Sequence, residues 1–166
     1  MMTKRSAFNK HDQWQVLHTP GHASGHIVLW QAERRVVVGG DMVAAVGTII
    51  IEPPDGHMAT YIAQLERLAM LKPDWWVPAH GPIITDPVGH LEHYVSHRLG
   101  REARVVDALG EGAAPLSEVT VRSYPDVPAV LHPLAERSCL AHLIKLSEDG
   151  RAEETDGRWG LAAGAG

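Results

Sequence analysis

The chain has 166 residues, 45% of them hydrophobic and 21% charged, which suits one soluble domain or two small ones able to bury roughly 70% of the unfolded surface. No run approaches the ~20 apolar residues of a membrane span, and the basic start at Lys4, Arg5 and Lys10 has no apolar stretch behind it. Neither a membrane anchor nor a secretory signal is expected on these grounds, and a cytoplasmic protein is. The formal charge of −5 divides as 7 basic and 8 acidic groups in residues 1–87, 3 and 4 in 88–112, and 5 and 8 in 113–166. No segment is basic, which argues against strong non-specific nucleic-acid binding, because that binding rests on phosphate neutralisation. The single cysteine, Cys139, has no partner for an internal disulfide and suits a small buried hydrophobe on a helix.

In chain order, residues 13–18 alternate as a half-buried strand and run into Thr19-Pro20-Gly21. Ile27 to Gln31 and Arg35 to Val38 are two β-rich runs joined by a short hairpin connection, and Thr48 to Ile51 is expected to add another short strand. From Asp55, the expected N-cap, the spacing of Met58, Ile62, Leu65, Leu68 and Ala69 predicts an amphipathic helix that Lys72-Pro73 ends. Trp75, Trp76 and Val77 form a buried strand in which at least one tryptophan belongs to the core, since neighbours on a strand face opposite sides. Residues 88–111 make a long helix with Leu91, Tyr94, Val95, Leu99, Val105, Val106 and Leu109 as its apolar positions. Beyond Gly112 to Pro115, a helix from Leu116, a second through Ala135 to Leu146 and a hairpin from Arg151 to Leu161 give the outline of a winged helix. The Ala/Gly-rich end from Ala162 is expected to be disordered.

Three ligand-type residues follow apolar runs in turns rich in glycine or proline: His22 in Thr-Pro-Gly-His, Asp41 in Gly-Gly-Asp and His80 in Pro-Ala-His-Gly-Pro. Glycine permits a sharp turn with room for an ion, and imidazole and carboxylate are ordinary ligands of zinc and its neighbours. His18 and His26 are expected to be hydrogen-bonded loop residues, and His57, His132 and His142 to lie at the surface or a boundary. His93, His97, Arg98 and Arg101 share a helix face, suited to an anionic substrate or to a solvated face with an Arg98–Glu102 pair.

The run from Leu17 to His26, followed by Gly39-Gly40-Asp41 and by Pro78 to Pro82, resembles in order and spacing the last three metal-binding motifs of the metallo-β-lactamase superfamily. The helix carrying His93, Ser96 to Arg98 and Arg101-Glu102, with its winged-helix tail, is similar to the subfamily of lactamase-like hydrolases related to the β-lactamase-like protein 2 endoribonucleases. The resemblance implies an α/β protein. It would hold the C-terminal half of an αββα sandwich in residues 1–87, a connecting helix in 88–112 and a small winged-helix domain in 113–166. It also implies up to two metal ions, usually zinc, with His22 on the first, Asp41 bridging and His80 on the second, and a substrate contacted by His97, Arg98 and Arg101. The activity implied is hydrolysis, by water activated between the ions, of an ester, thioester, lactam or RNA phosphodiester.

The superfamily's further ligands come from a His-x-His-x-Asp-His motif that this sequence does not contain; His11-Asp12 lacks the preceding pair. Each ion would keep two protein ligands, whereas catalytic zinc commonly has three. Weak or absent activity is therefore expected unless a partner supplies the rest, and a gene fragment is one explanation of Met1 to Asp12, which show no strand pattern. Apolar surface left open on residues 14–87 calls for a homo-oligomer or another covering partner. Two further readings stay open: a non-catalytic homodimeric interaction module, and a nucleic-acid binder acting through the winged helix and the Arg98/Arg101 helix.

Overall fold

A computed structural model describes residues 13–164, so His11-Asp12 and the rest of the first twelve residues lie outside it, as do the last two. One sheet has the strand order β1 (Gln15–His18), β2 (Ile27–Gln31), β3 (Val36–Gly40) and β4 (Trp75–Pro78). The loop 19–26 and the shorter turn 32–35 make β1, β2 and β3 antiparallel neighbours. Helix α1 (Met58–Ala69) carries the chain back so that β4 runs parallel to β3. Val16, Leu29, Val38 and Val77 oppose one another across the strands, and the alternating residues Val28, Val37 and Trp76 face the other way into the core.

That core packs Val28, Trp30, Val37 and Trp76 against Tyr61, Leu65 and Leu68 of α1 and against Leu91 and Tyr94 of α2 (Pro87–Gly110). The opposite face stays open: Val16 is 64% and Trp75 48% exposed, with Trp14, Ile27 and Val38 beside them. Of the Trp75-Trp76 pair, Trp76 is the core member.

Two expectations change. The N-cap of α1 is His57, whose ring accepts from the Thr60 amide; Asp55 instead accepts from the Ser24 amide at 2.9 Å, tying down the turn after β1. Thr48 to Ile51 is not a strand. Ile49 and Ile51 are buried as in one, but the backbone is fastened by side chains: Arg98 donates to Thr48 and to the Ile49 carbonyl, and Tyr94 to the Gly47 carbonyl. An apolar run signals burial, and burial does not require a ladder partner.

Helix α2 opens with Asp86 accepting from the Gly89 amide and Pro87 in its first turn. Its first half lies in the sheet core. Its second half contributes Val105, Ala108 and Leu109 to a second core, with α3 (Leu116–Ser123), α4 (His132–Glu148) and the hairpin β5 (Ala152–Thr155) and β6 (Arg158–Leu161). Reciprocal 2.9 Å backbone bonds between Ala114 and Trp159 pin the hairpin to the segment after α2. Cys139 is buried there, and burial raises its thiol pKa. No helix of the described residues is long and apolar enough to cross a membrane.

Between the cores lies a polar knot. Glu102 is buried on α2 and receives Lys145 at 3.1 Å and Arg151 at 3.4 Å, with His142 Nδ1 at 3.8 Å. Burial works against the Glu102 charge, but His142 and Lys145 outweigh it and hold its pKa below the ordinary value. His142 is fully buried rather than at the surface, because Ala141 and Leu143 on either side of it belong to the two different cores. Among the described residues neither of its ring nitrogens has a hydrogen-bond partner, and burial lowers its pKa.

Two outcomes are expected. A lowered folded pKa means that the unfolded chain binds more protons, so the His142 contribution is complete above about pH 6.5 and declines as pH falls below it. Thermal melts across that window should show this decline, and His142→Leu should flatten it. Gly39→Ala should lower stability by about 1–3 kcal/mol or more in urea titrations, because a Cβ there would stand 2.0 Å from the buried Trp76 ring.

Candidate metal centre

β2 is antiparallel to both β1 and β3, and β4 is parallel to β3, so β1, β3 and β4 all end at the same edge of the sheet. The loops carrying His22, Asp41 and His80 therefore share that edge. Backbone bonds lock two of them: the Ala79 amide donates to the Gly40 carbonyl at 2.9 Å, and the Ala45 amide to the His80 carbonyl at 3.1 Å. Asp41 Oδ1 and His80 Nε2 stand 3.2 Å apart, with the His80 ring largely exposed.

His22 is oriented from behind. Its Nδ1 donates to the Ile50 carbonyl at 3.0 Å, which leaves Nε2 of the neutral ring with a free lone pair. A backbone acceptor on the far nitrogen is the usual arrangement of a metal-binding imidazole. His26 lies edge-on to His22, their ring centres 6.2 Å apart. The His26 Nε2 accepts from the Asp41 amide at 3.2 Å, so its proton sits on Nδ1, which donates to the Thr19 hydroxyl at 2.8 Å. Burial, reinforced by His22 and partly opposed by Asp41, lowers the His26 pKa. His18 donates to the Ser24 carbonyl at 2.8 Å. Both flanking histidines are thus hydrogen-bonded loop residues.

In kind, the donors suit a metal ion: two imidazoles and a carboxylate on one edge. In number they fall short, since among the described residues no three His, Cys, Asp or Glu side chains gather into a set able to hold an ion. Asp41 and His80 meet. His22 shares their edge without closing the set.

The substrate-contact candidates separate. His97 borders a cavity of about 260 Å³ with Gly47, Thr48, His93 and Tyr94, and burial and the neighbouring Arg98 lower its pKa. Arg98 is 3% exposed and turns inward to Thr48 and Ile49, while Glu102 is held by Lys145 and Arg151, so the expected i,i+4 pair gives way to these contacts. Arg101 forks onto Asp126 at 2.8 and 3.0 Å, donates to the Ser123 carbonyl and stacks 4.1 Å over Tyr124. Its hydrogen bonds hold the Asp126 carboxyl well below the usual carboxylate range.

Tyr61 and Tyr94 escape sequence reasoning because they look like ordinary apolar positions of α1 and α2. Yet Tyr61 donates to the Met42 carbonyl at 2.6 Å, and the Tyr94 hydroxyl accepts from the Ala44 amide at 3.1 Å. His90 adds a 2.8 Å bond to the Ala44 carbonyl, so the segment leaving Asp41 is held by three side chains.

Residues 7–80 match the sequence model of the metallo-beta-lactamase superfamily, and residues 116–159 that of the beta-lactamase associated winged helix domain. The beta-lactamase-like protein 2 homolog of Drosophila melanogaster is 33% identical over 141 residues, which span 82% of this chain and 46% of that protein. Its Caenorhabditis elegans counterpart is 32% identical over 140 residues, spanning 84% and 46%. The chain thus spans about half the length of these curated relatives. A metallo-beta-lactamase family protein from Thermus thermophilus superposes with a TM-score of 0.78 at 24% identity, covering 89% of this chain and 49% of that one. This likeness bears out the fold expectation: a partial αββα architecture followed by a winged helix.

Arg98→Gln is expected to lower stability by about 2 kcal/mol in urea titrations, since it removes charged hydrogen bonds from a buried group. Amide exchange in residues 46–50 should rise with it.

Proposed function

We propose, from the premise that this chain carries a metallo-β-lactamase domain with its associated winged helix and is homologous to the β-lactamase-like protein 2 homologs, that His22, Asp41 and His80 are its share of a hydrolytic metal centre. Superfamily membership supports a metal-dependent hydrolase lineage. The observation that carries the site assignment is the joined pair of loops in which Asp41 Oδ1 lies 3.2 Å from His80 Nε2 while the Ala79 amide grips the Gly40 carbonyl. Two donors from separate strand ends are thereby preset at one point. His22 presents Nε2 from the same edge because the Ile50 carbonyl holds its other nitrogen.

When bound, a metal such as zinc supplies Lewis acidity that activates water and polarises the bond to be hydrolysed. The chain's own residues position the donors and border the approach. The substrate class under this proposal is an ester, thioester, lactam or phosphodiester, approached past His97 and the Thr48 segment. Arg98 braces that segment from inside through Thr48 and Ile49, while Arg101 ties α2 to Asp126 beyond α3.

The remaining ligands come from a surface outside the described residues, and a second copy of the chain or another partner is one source of it. What supports this is the open apolar face of Val16, Ile27, Val38 and Trp75, since an exposed apolar patch of this kind marks an interface. The same face favours a second reading, a non-catalytic homodimer, which differs in binding no metal.

The deciding measurement is metal content per chain by elemental analysis after size-exclusion chromatography with light scattering, on protein purified without chelator or an affinity metal. The expected result is about one or two transition-metal ions per chain, lost in Asp41→Ala with the fold retained. A well-folded dimer without metal would overturn the metal-centre proposal and leave the interaction module.

A further inference from the structure

The imidazole of His26 touches both of the loops that carry His22 and Asp41. Its backbone belongs to the first: the Thr19 amide donates to the His26 carbonyl at 2.9 Å, and the His26 amide to the Ala23 carbonyl at 3.2 Å. Its ring reaches the second, with Nε2 receiving the Asp41 amide and Nδ1 donating to the fully buried Thr19 hydroxyl. Because a backbone amide can only donate, the Asp41 contact fixes the tautomer with the proton on Nδ1.

Gly40 is shaped around this ring. Its φ is +53°, and a Cβ there would stand 2.8 Å from His26 Nε2, so a side chain would push the imidazole away. The Gly40 carbonyl in turn receives the Ala79 amide, next to His80. One ring therefore bears on all three loops: its own, the Asp41 loop directly and the His80 loop through Gly40.

We infer that His26 is the positioning residue of the centre, whose neutral Nδ1–H imidazole sets the Asp41 turn relative to the His22 turn and is not itself a metal ligand. The inference rests on the metal-centre reading for its consequence and on the hydrogen bonds alone for its mechanism. While Nε2 accepts from the Asp41 amide, its lone pair is taken. A group that orients a ligand without touching the metal commonly controls about 10- to 100-fold in affinity.

Two amide-bearing substitutions divide the role. In His26→Gln, the longer side chain would place its amide near the position of Nε2, where its oxygen can accept from the Asp41 amide. In His26→Asn, the shorter one would reach only the position of Nδ1 and keep the Thr19 contact. The test is cobalt(II) titration of the full chain, followed by its visible absorption, for wild type, His26→Gln and His26→Asn. Thermal melts of the metal-free proteins and amide exchange at Asp41 accompany it.

His26→Gln should bind cobalt within a few-fold of wild type, and His26→Asn about 10- to 100-fold more weakly, with similar metal-free melting temperatures. The Asp41 amide should be protected in wild type and His26→Gln and fast in His26→Asn. Nitrogen-15 spectra of wild-type His26 should show Nδ1 protonated and Nε2 bare. Equal affinity in the two variants, or a metal-free Asp41 amide equally protected in both, would overturn the inference. If wild type binds no cobalt, the metal-centre reading fails, and the exchange and nitrogen-15 results still decide whether His26 holds the Asp41 turn.

Discussion

The close approach of the Gly39-Gly40 backbone to two rings is the constraint on which the rest of the site depends. Trp76 occupies the space a Cβ at Gly39 would fill, and His26 occupies the space at Gly40. Trp76 is completely buried, so this strand cannot shift away without opening the core. Asp41 is consequently delivered at a set height above the sheet edge. The same turn receives the Ala79 amide, so the position of His80 follows from that of Gly40. Packing of a tryptophan in the core and placement of a carboxylate at the edge are one event.

Helix α2 carries a second dependence. Its first half completes the sheet core with Leu91 and Tyr94, and its second half founds the other core with Val105, Ala108 and Leu109. Between them the helix buries Arg98 and Glu102, which face different problems. Arg98 satisfies the irregular segment after Asp41, where no ladder is available to the carbonyls. Glu102 collects Lys145 and Arg151 from the winged-helix side. Charges buried between two cores are costly unless paired, so loss of one partner would leave the other stranded.

The candidate site is well preset and, among the described residues, short of donors at once. Asp41 meets His80, His22 is held from behind, and His26, Tyr61, Tyr94 and His90 brace the surrounding backbone. The open face of the sheet, with Val16 and Trp75 about half or more exposed, stands beside this preset edge. An apolar face and an incomplete donor set on one small sheet both call for a further surface.

Local pattern makes much of this legible in the sequence. Helix α1, the strands β2 and β4, the long α2, the closing hairpin and the three turns with ligand-type residues are readable because each is written in contiguous residues: hydrophobic period, a proline or glycine stop, a short motif. The burial of one tryptophan of the Trp75-Trp76 pair follows from strand alternation. The segment from Thr48 to Ile51 reads as a strand because its apolar run records burial, while its hydrogen bonds come from Arg98, 49 residues away from Ile49. Asp55 loses the helix cap to His57 because Ser24, 31 residues earlier, claims its carboxylate. His142 reads as a surface or boundary residue because nothing local marks a histidine that two cores enclose. The sequence by itself determined which residues could be ligands and which elements carry them. Tertiary structure alone decided which donors meet, which histidine braces and which arginines turn inward, because those outcomes depend on contacts between residues tens of positions apart.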